Sequence, residues 1–267
     1  MEEIKTIVQI ADIHIQKTKR HIEYRAIFDH LYDKMRMIKP DRIVICGDIY
    51  NSYNDISPES TNLMGEFFRN LAQLTKKLII IPGNHDIVNK ASNKMDSITP
   101  VINTLNLPNI VYYENSEVYI DENVAWVHYS IKDDYRIPLD LSIKNLKDKR
   151  KIGLFHGRIA GSVNDDGFKL SGVSINIFED SDIVLCGDIH KRQELKTHNN
   201  VDVIYSGSLI QQHKGETISR HGYNVITLTP DGFECDAYDI DNPQKILHFV
   251  IENMDDLYNG NEKLVNA

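Results

Sequence analysis

Aspartate, histidine and asparagine recur at the ends of apolar runs in this 267-residue chain, in the strings Asp12-Ile13-His14, Gly47-Asp48, Gly83-Asn84-His85-Asp86, His156-Gly157 and Gly187-Asp188-Ile189-His190. Carboxylate and amide oxygens suit hard divalent ions, and imidazole nitrogen is accepted by Mn, Fe and Zn. A mixed set of this kind therefore points to a pair of divalent cations with transition-metal character. Two such cations about 3.5 to 4 Å apart lower the pKa of water and clamp the oxygens of an in-line displacement, so the chemistry would be phosphoester hydrolysis by a two-metal-activated hydroxide. Asp-x-His alone is weak evidence. Its conjunction with Gly-Asp and Gly-Asn-His-Asp at successive run ends carries the reading.

The runs that must position these residues are Thr6 to Ala11, Arg42 to Cys46, Leu78 to Pro82, Lys151 to Phe155 and Asp182 to Cys186. Each is short, rich in Ile, Val and Leu, and closed by Gly or a charged residue, as a buried strand reads. If the strands are largely parallel neighbours, the five motifs converge at their carboxyl ends. Gly47, Gly83 and Gly187 are read as sharp turns that bring each ligand inward. Glu23 to Lys39 carries Ile27, Leu31, Met35 and Ile38 at helical spacing and stops at Pro40. Ser57-Pro58-Glu59 opens a second helix, with Leu63, Phe67, Leu71 and Leu74 on one face. Residues 5 to 86 thus read as β-α-β-α-β, parallel strands with helices packed on them. From about Asn109 the pattern changes to short strands, Ile110 to Tyr113, Glu117 to Ile120 and Val124 to Tyr129, whose Asn- and Asp-rich junctions predict hairpins. Val201 to Tyr205, Tyr223 to Leu228 and Phe233 to Asp239 continue the habit, with Pro230-Asp231-Gly232 as a hairpin turn. The expected fold class is α/β: two mixed β-sheets packed face to face and flanked by helices. Leu247 to Leu257 reads as a helix or a strand ahead of a polar tail from Asn259 to Ala267.

A hydrophobic content of 41% and a charged content of 26% are those of an ordinary globular chain. No apolar stretch approaches the roughly 20 residues needed to cross a bilayer, so no membrane association is expected. The expected location is cytoplasmic or nuclear. Cys46, Cys186 and Cys235 lack metal-knuckle spacing, which argues against a disulfide framework or a cysteine zinc site. A net charge of −9 gives no global attraction to nucleic acid and argues against a free-standing DNA binder. Local cations remain: Lys17, Lys19 and Arg20 follow the first motif, Arg158 follows His156, and Lys191 and Arg192 follow the last. They are candidate substrate contacts, or solvated loop charges. Among the other histidines, His128 lies in an apolar run as a hydrogen-bonded core residue, and His213 stands at most behind the ligands.

The motif run from Asp12 to His190 resembles the calcineurin-like metallophosphoesterases, whose four-layer α-β-β-α fold the predicted elements match. Phe155-His156-Gly157, Gly187-Asp188-Ile189-His190-Lys191-Arg192-Gln193 and Tyr205-Ser206-Gly207-Ser208-Leu209-Ile210-Gln211-Gln212 look like the SbcD-type nuclease of double-strand-break repair, especially its phage and viral versions. The resemblance implies two divalent cations, Mn²⁺ or Mg²⁺. Asp12, His14, Asp48 and His190 would hold one, and Asp48, Asn84, His156 and Asp188 the other, with Asp48 bridging. His85 would stand beside the phosphate as general acid or transition-state stabiliser, with Asp86 orienting the local turn or the imidazole. The family pattern usually has His where this chain has Asp188.

The resemblance further implies a metal-dependent DNA exonuclease, and endonuclease, acting in DNA repair or recombination as a homodimer with an SbcC-type coiled-coil ABC ATPase, in a host cell if the chain is of phage or viral type. Residues 1–240 would form the nuclease domain and 241–267 an extension or the start of a capping and partner-binding region. The alternatives are a phosphomonoesterase or small-molecule phosphodiesterase on the same scaffold, since substrate choice lies in the covering loops, and an inactive scaffold, against which His85 and Asn84 argue.

Overall fold

The computed structural model of the protein describes residues 3–88, 94–138, 141, 146–251 and 263–264. Strand β1 (Thr6–Ile10), helix α1 (His21–Ile38), β2 (Arg42–Cys46), α2 (Pro58–Ala72) and β3 (Lys77–Ile81) form the expected β-α-β-α-β run. Lys39 ends α1 in the left-handed conformation, φ 53°, directly before Pro40. Ser57 caps α2: its Oγ accepts from Ser60 N and Ser60 Oγ accepts from Ser57 N, with Pro58 in the first turn. A short α3 (Thr99–Leu105), not expected from the sequence, precedes β4 (Ile110–Tyr112). There follow β5 (Val118–Asp121), β6 (Val124–Tyr129), β7 (Arg150–His156), β8 (Ile183–Gly187), β9 (Gln193–Lys196), β10 (Asp202–Tyr205), β11 (Gly222–Thr229) and β12 (Gly232–Asp239).

The strands form two six-stranded sheets, ordered β12-β11-β1-β2-β3-β4 and β5-β6-β7-β8-β10-β9. In the first, β1 to β4 are parallel, and β11 pairs antiparallel with β1 on one side and with β12 on the other. In the second, β6, β7, β8 and β10 are parallel, with β5 and β9 antiparallel at the edges. Both sheets are mixed, as expected. The hairpin predicted at β4 is corrected: β4 pairs parallel with β3, Leu78 beside Ile110, and the hairpin is β5 with β6. The physical reason is burial, because Ile110 packs under the helices whereas Tyr113 already lies between the sheets. The polar junction after Tyr113 is thus a crossing between sheets rather than a turn within one.

Alternation along the central strands divides the core. Val8, Ile10, Ile43, Ile45, Leu78 and Ile80 pack against α1 and α2. Ile7, Val44, Cys46, Ile79 and Ile81 meet Trp126, Ile152, Leu154, Ile183 and Leu185 between the sheets. Strands buried on both faces need apolar side chains at every position, which is why they read as continuous runs. Beyond the second sheet lie Val127, Phe155, Val184 and Tyr205, covered among the described residues by 3-10 turns at Ile131–Asp133 and Ile175–Phe178 and by loop side chains such as Val173.

Buried polar links cross the sandwich. Gln9 Nε2 donates to Cys186 O (3.0 Å) and Ile204 O (3.1 Å), tying β1 to β8 and β10. Arg42 grips Asp121 through Nε (2.7 Å) and Nη2 (3.0 Å), tying β2 to the β5–β6 turn. After β12 the chain lies back on the first half: Asn242 Nδ2 donates to Glu23 Oε1 (2.8 Å), and Gln211 exchanges two hydrogen bonds with the Ile246 backbone (2.9 and 3.0 Å). Of the element expected at Leu247 to Leu257, β13 (Phe249–Val250) is a strand that pairs antiparallel with β14 (Lys263–Leu264) in the expected polar tail; residues 252–257 lie outside the described residues. Among the described residues no helix is long and apolar enough to cross a membrane.

His128 in β6 is the expected core histidine: it is buried, its Nδ1 lies 3.0 Å from Asn115 O, and burial pushes its pKa down to about 3. An unfolded histidine titrates near about 6.5, so between that pH and the folded value the unfolded chain binds more protons. The stability His128 contributes is therefore complete above about pH 6.5 and declines as pH falls toward the folded value, by up to about 1.4 kcal/mol per pH unit. Urea midpoints followed from about pH 7 down to about pH 4.5 should accordingly fall less steeply in His128→Gln than in wild type. Parallel curves would mean that His128 does not contribute to acid sensitivity.

Candidate metal centre

The parallel registers align the strand ends that carry the motifs: Ile10 lies beside Ile45, Cys46 beside Ile81, and His156 beside Gly187. The two sheets meet at that edge. His156 Nδ1 lies 2.7 Å from Cys46 O, and a Cβ at Gly187 would fall 2.1 Å from Cys46 O, so the strand ends touch only because that position has no side chain. The expectation of three glycine turns is corrected here. Gly47 does turn, at φ 80°, but Gly83 and Gly187 are outside the positive-φ region and serve close approach instead.

The turning is done by the ligand-bearing residues themselves. Asp12, His14, Asp48 and Asp188 have φ of 51°, 53°, 52° and 92°. Non-glycine residues with positive φ are uncommon and cluster at functional sites, at a cost of order 1–3 kcal/mol each. The conformation is held by continued pairing beyond the strands: Ile13 N and His14 N both donate to Asp48 O (2.9 and 3.0 Å), and Ile15 N to Ile49 O (2.7 Å).

Seven of the predicted residues converge. Asp12, His14 and His190 present ligand atoms within 4.8 Å of one another, as do Asp12, Asp48 and His156, and His14, Asp48 and His85. The two oxygens of Asp48 divide between the groups, Oδ2 lying 3.6 Å from His14 Nε2 and Oδ1 3.2 Å from His156 Nε2. Asn84 Oδ1 lies 3.0 Å from the same His156 Nε2. Asp188 borders the cluster: its N–H donates to Asp12 Oδ1 (2.9 Å), and its buried Oδ2 has no hydrogen-bond partner among the described residues. His85 is exposed, its ring edge-on to His14 at 4.9 Å. Its N–H donates to Asp48 Oδ1 (2.9 Å), and its ring Nδ1 lies 2.6 Å from Asn51 O. Of the two roles expected for Asp86, the contacts are those of the turn, not the imidazole. Its buried carboxylate accepts from the N–H groups of Ile49, Tyr50 and Gly83 (3.0–3.2 Å) and so clamps the loop after β2 to the loop after β3.

The electrostatics are those of a site built for positive charge. Burial, opposed by His156 and His190, pushes Asp12 up to about 7. Burial holds His14 neutral, down at about 3. Burial alone would lower His156, but the Asp48 carboxylate beside it carries its pKa well above the usual range. Burial would likewise raise Asp48, and His156 holds it below the carboxylate range. The neighbours that oppose the burial of Asp12 and Asp48 are thus imidazoles, chiefly His156, rather than Lys or Arg. His14 Nε2 and His190 Nε2 face each other at 2.9 Å, so both Nε2 nitrogens are aimed at one place. With the Asp188 Oδ2 that lacks a hydrogen-bond partner among the described residues, this donor set of carboxylate, amide and imidazole fits divalent cations.

The six candidate substrate cations separate. Arg158 is exposed, with Nε 3.6 Å from Asp188 Oδ2, at the cluster's rim. Lys19 is exposed, Lys191 is half-buried, and Lys17 pairs with Asp55 at 2.9 Å. Arg20 and Arg192 are hydrogen-bonded within the fold. Arg20 binds Glu23 twice (2.7 Å each) and Gln211 O (2.7 Å). Arg192 binds Ser206 O, Asp239 and Tyr238 O at 2.7–3.2 Å. A cation that follows a motif in sequence is free for substrate only if no carbonyl or carboxylate of the fold reaches it first. Sequence reading also missed Glu216, fully buried, with Oε1 2.7 Å from His190 Nδ1. Nothing in its sequence neighbourhood marks it as part of the site.

A Cβ at Gly83 would stand 2.1 Å from Asp48 Oδ1 and 2.2 Å from Asp48 N, against backbone that cannot yield. Gly83→Ala is expected to destabilise the chain by about 1–3 kcal/mol and to weaken Mn²⁺ binding, read by thermal melting and isothermal titration. A variant unchanged in both would show that Asp48 is not constrained by this contact.

Residues 5–207 match the family described as calcineurin-like phosphoesterase. The chain is 34% identical over 232 residues to uncharacterized protein R555 of Acanthamoeba polyphaga mimivirus, covering 82% of this chain and 17% of that protein. It is 25% identical over 250 residues to the SbcD subunit of the nuclease SbcCD of Staphylococcus saprophyticus, covering 83% of this chain and 65% of that protein. The chain therefore spans less than two thirds of the length of either relative. In fold it is similar to a dimetal phosphatase from Danio rerio (TM-score 0.58, 12% identity, 92% of this chain and 98% of that one). It is also similar to TT1561 of Thermus thermophilus (TM-score 0.54, 14% identity, 88% and 99%). With the family match spanning every predicted ligand and the Asp/His clusters gathered at the strand ends, the chain belongs to the calcineurin-like phosphoesterase family.

Proposed function

We propose that this centre hydrolyses phosphodiester bonds of DNA, as an exonuclease and endonuclease, in double-strand-break repair or recombination. The observation that carries the reading is the likeness to the SbcD subunit of the nuclease SbcCD, which runs over 83% of this chain and so reaches well beyond the metal motifs. The net charge of −9 is compatible with a partner, an SbcC-type coiled-coil ABC ATPase, that supplies much of the DNA-binding surface. On this reading residues 1–240 are the catalytic unit, 241–267 begin a partner-binding region, and the protein works as a dimer inside a cell, as a phage or viral product would in its host.

Asp12, His14, Asp48 and His190 would hold one cation, and Asp48, Asn84, His156 and Asp188 the other, both Mn²⁺ or Mg²⁺. Bound there, the cations would activate water and neutralise phosphate oxygens. His156 donates its Nδ1 proton to Cys46 O (2.7 Å), which leaves Nε2 as the ligating nitrogen. Arg158, 3.6 Å from Asp188, would offset the extra negative charge of a carboxylate where the family pattern has an imidazole and would reach substrate phosphate from the rim. His85, with Nδ1–H on Asn51 O, stands exposed beside His14 and Asp48, where its Nε2 would protonate or stabilise the leaving alkoxide.

The test is nucleotide release from end-labelled DNA by the purified chain with Mn²⁺, beside His85→Asn. Wild type should release nucleotide and the variant should be slower by about 10² to 10⁴ with Mn²⁺ binding retained. Hydrolysis of a phosphomonoester such as p-nitrophenyl phosphate by the metal-loaded chain, without DNA cleavage, would overturn the nuclease reading.

A further inference from the structure

We propose that Glu216 is a positioning residue of the metal centre. By accepting the Nδ1 proton of His190 it fixes the tautomer and ring plane in which Nε2 offers its lone pair to a cation. The inference rests on the metal-centre reading and assigns a role to a residue outside the ligand set. Glu216 Oε1 lies 2.7 Å from His190 Nδ1 and 3.1 Å from His213 Nε2, and Oε2 accepts from Gln212 N at 2.7 Å. The side chain is fully buried, and its ion-pair contacts among the described residues are imidazoles, with no Lys or Arg. A carboxylate buried without Lys or Arg is costly unless its oxygens are engaged, and here both are, on His190, His213 and Gln212 N.

Two other roles fit less well. A third cation held by His190, His213 and Glu216 would need both ring nitrogens of His190 as ligands. A neutral imidazole has one lone pair, and Nε2 already faces His14 Nε2 at 2.9 Å. A turn-forming role accounts for Oε2 on Gln212 N but leaves Oε1 unexplained. The arrangement matches His156, whose Nδ1 is fixed 2.7 Å from Cys46 O. A metal-binding histidine ordinarily gives its second N–H to a carboxylate or carbonyl, and loss of that partner typically costs about 10- to 100-fold in metal affinity.

Glu216→Gln separates the roles. A glutamine has one carbonyl oxygen, which can accept from Gln212 N or from His190 Nδ1 but not both. If the oxygen keeps the turn, its NH₂ faces His190 Nδ1 and drives the proton to Nε2. Isothermal titration of the full chain with Mn²⁺, with thermal melting of the metal-free protein alongside, reads the outcome. Expected are a near-wild-type melt for Glu216→Gln and about 10- to 100-fold weaker binding of one Mn²⁺, with a similar or larger loss in Glu216→Ala. A second readout is the ¹⁵N spectrum of the metal-free histidines, the His190 resonance being assigned by its absence from His190→Gln. Recorded above about pH 9, the value to which its carboxylate neighbours raise His190 against the effect of burial, wild type should show the proton on Nδ1, and Glu216→Gln should shift it toward Nε2. Wild-type Mn²⁺ affinity and an unchanged His190 tautomer in a folded Glu216→Gln would overturn the inference while leaving the metal centre standing. A wild-type chain that binds no Mn²⁺ would overturn the metal-centre reading and this inference with it. If Glu216→Ala does not fold, Glu216→Gln alone decides.

Discussion

Asp48 is the junction on which the rest of the centre hangs. Its carbonyl accepts from Ile13 N and His14 N, which fastens the loop after β1 to the loop after β2. Its carboxylate accepts from His85 N and places one oxygen toward His156 and the other toward His14. One side chain therefore addresses three loops and both sheets. It can do so because its own backbone is left-handed, at φ 52°, after Gly47 at 80°. That conformation is unfavourable for a residue with a Cβ and persists only where surrounding structure over-determines it. Here the clamp is Asp86, which binds the N–H groups of Ile49 and Tyr50 just beyond Asp48 and that of Gly83 on the neighbouring loop.

The electrostatic logic follows from that packing. Carboxylates gathered in a buried cluster repel one another and lose hydration, so each must be balanced nearby. The balance comes from imidazoles whose outer nitrogens are anchored, His156 on Cys46 O and His190 on Glu216. Arginines serve elsewhere. Arg42 joins the sheets through Asp121, Arg20 joins α1 to the Gln211 turn, and Arg192 joins the β8–β9 turn to β12. The positive charge left free at the rim is sparse, with Arg158 the nearest to Asp188.

The segment after β12 completes the scaffold. Gln211 lies one residue from Gln212, whose N–H binds Glu216, and Gln211 is paired to the backbone of Ile246. Asn242 binds Glu23, which is itself held by Arg20. Asn242 and Ile246 are thus hydrogen-bonded to α1 and to Gln211, which is next in the chain to Gln212, the residue whose N–H binds Glu216.

Much of this was legible in the chain itself. Continuous apolar runs identified the doubly buried strands, because a strand covered on both faces cannot alternate. Each ligand follows its run directly, because a parallel strand delivers its next residue to the carboxyl edge. The resemblance of the motif series implied the ligand set, and the structure brings those side chains within reach of one another. Three features were out of reach. The pairing of β4 with β3 depends on which face Ile110 buries, which the local pattern does not encode. The commitment of Arg20 and Arg192 depends on carbonyls and carboxylates up to 191 residues away in the chain. Glu216 reaches His190 across 26 residues and a turn. Residue type and order determined which chemistry was present and at which strand ends. Only the packing of one sheet on the other decided which charges face the centre and which are consumed in holding it, because those contacts exist only between segments that the fold brings together.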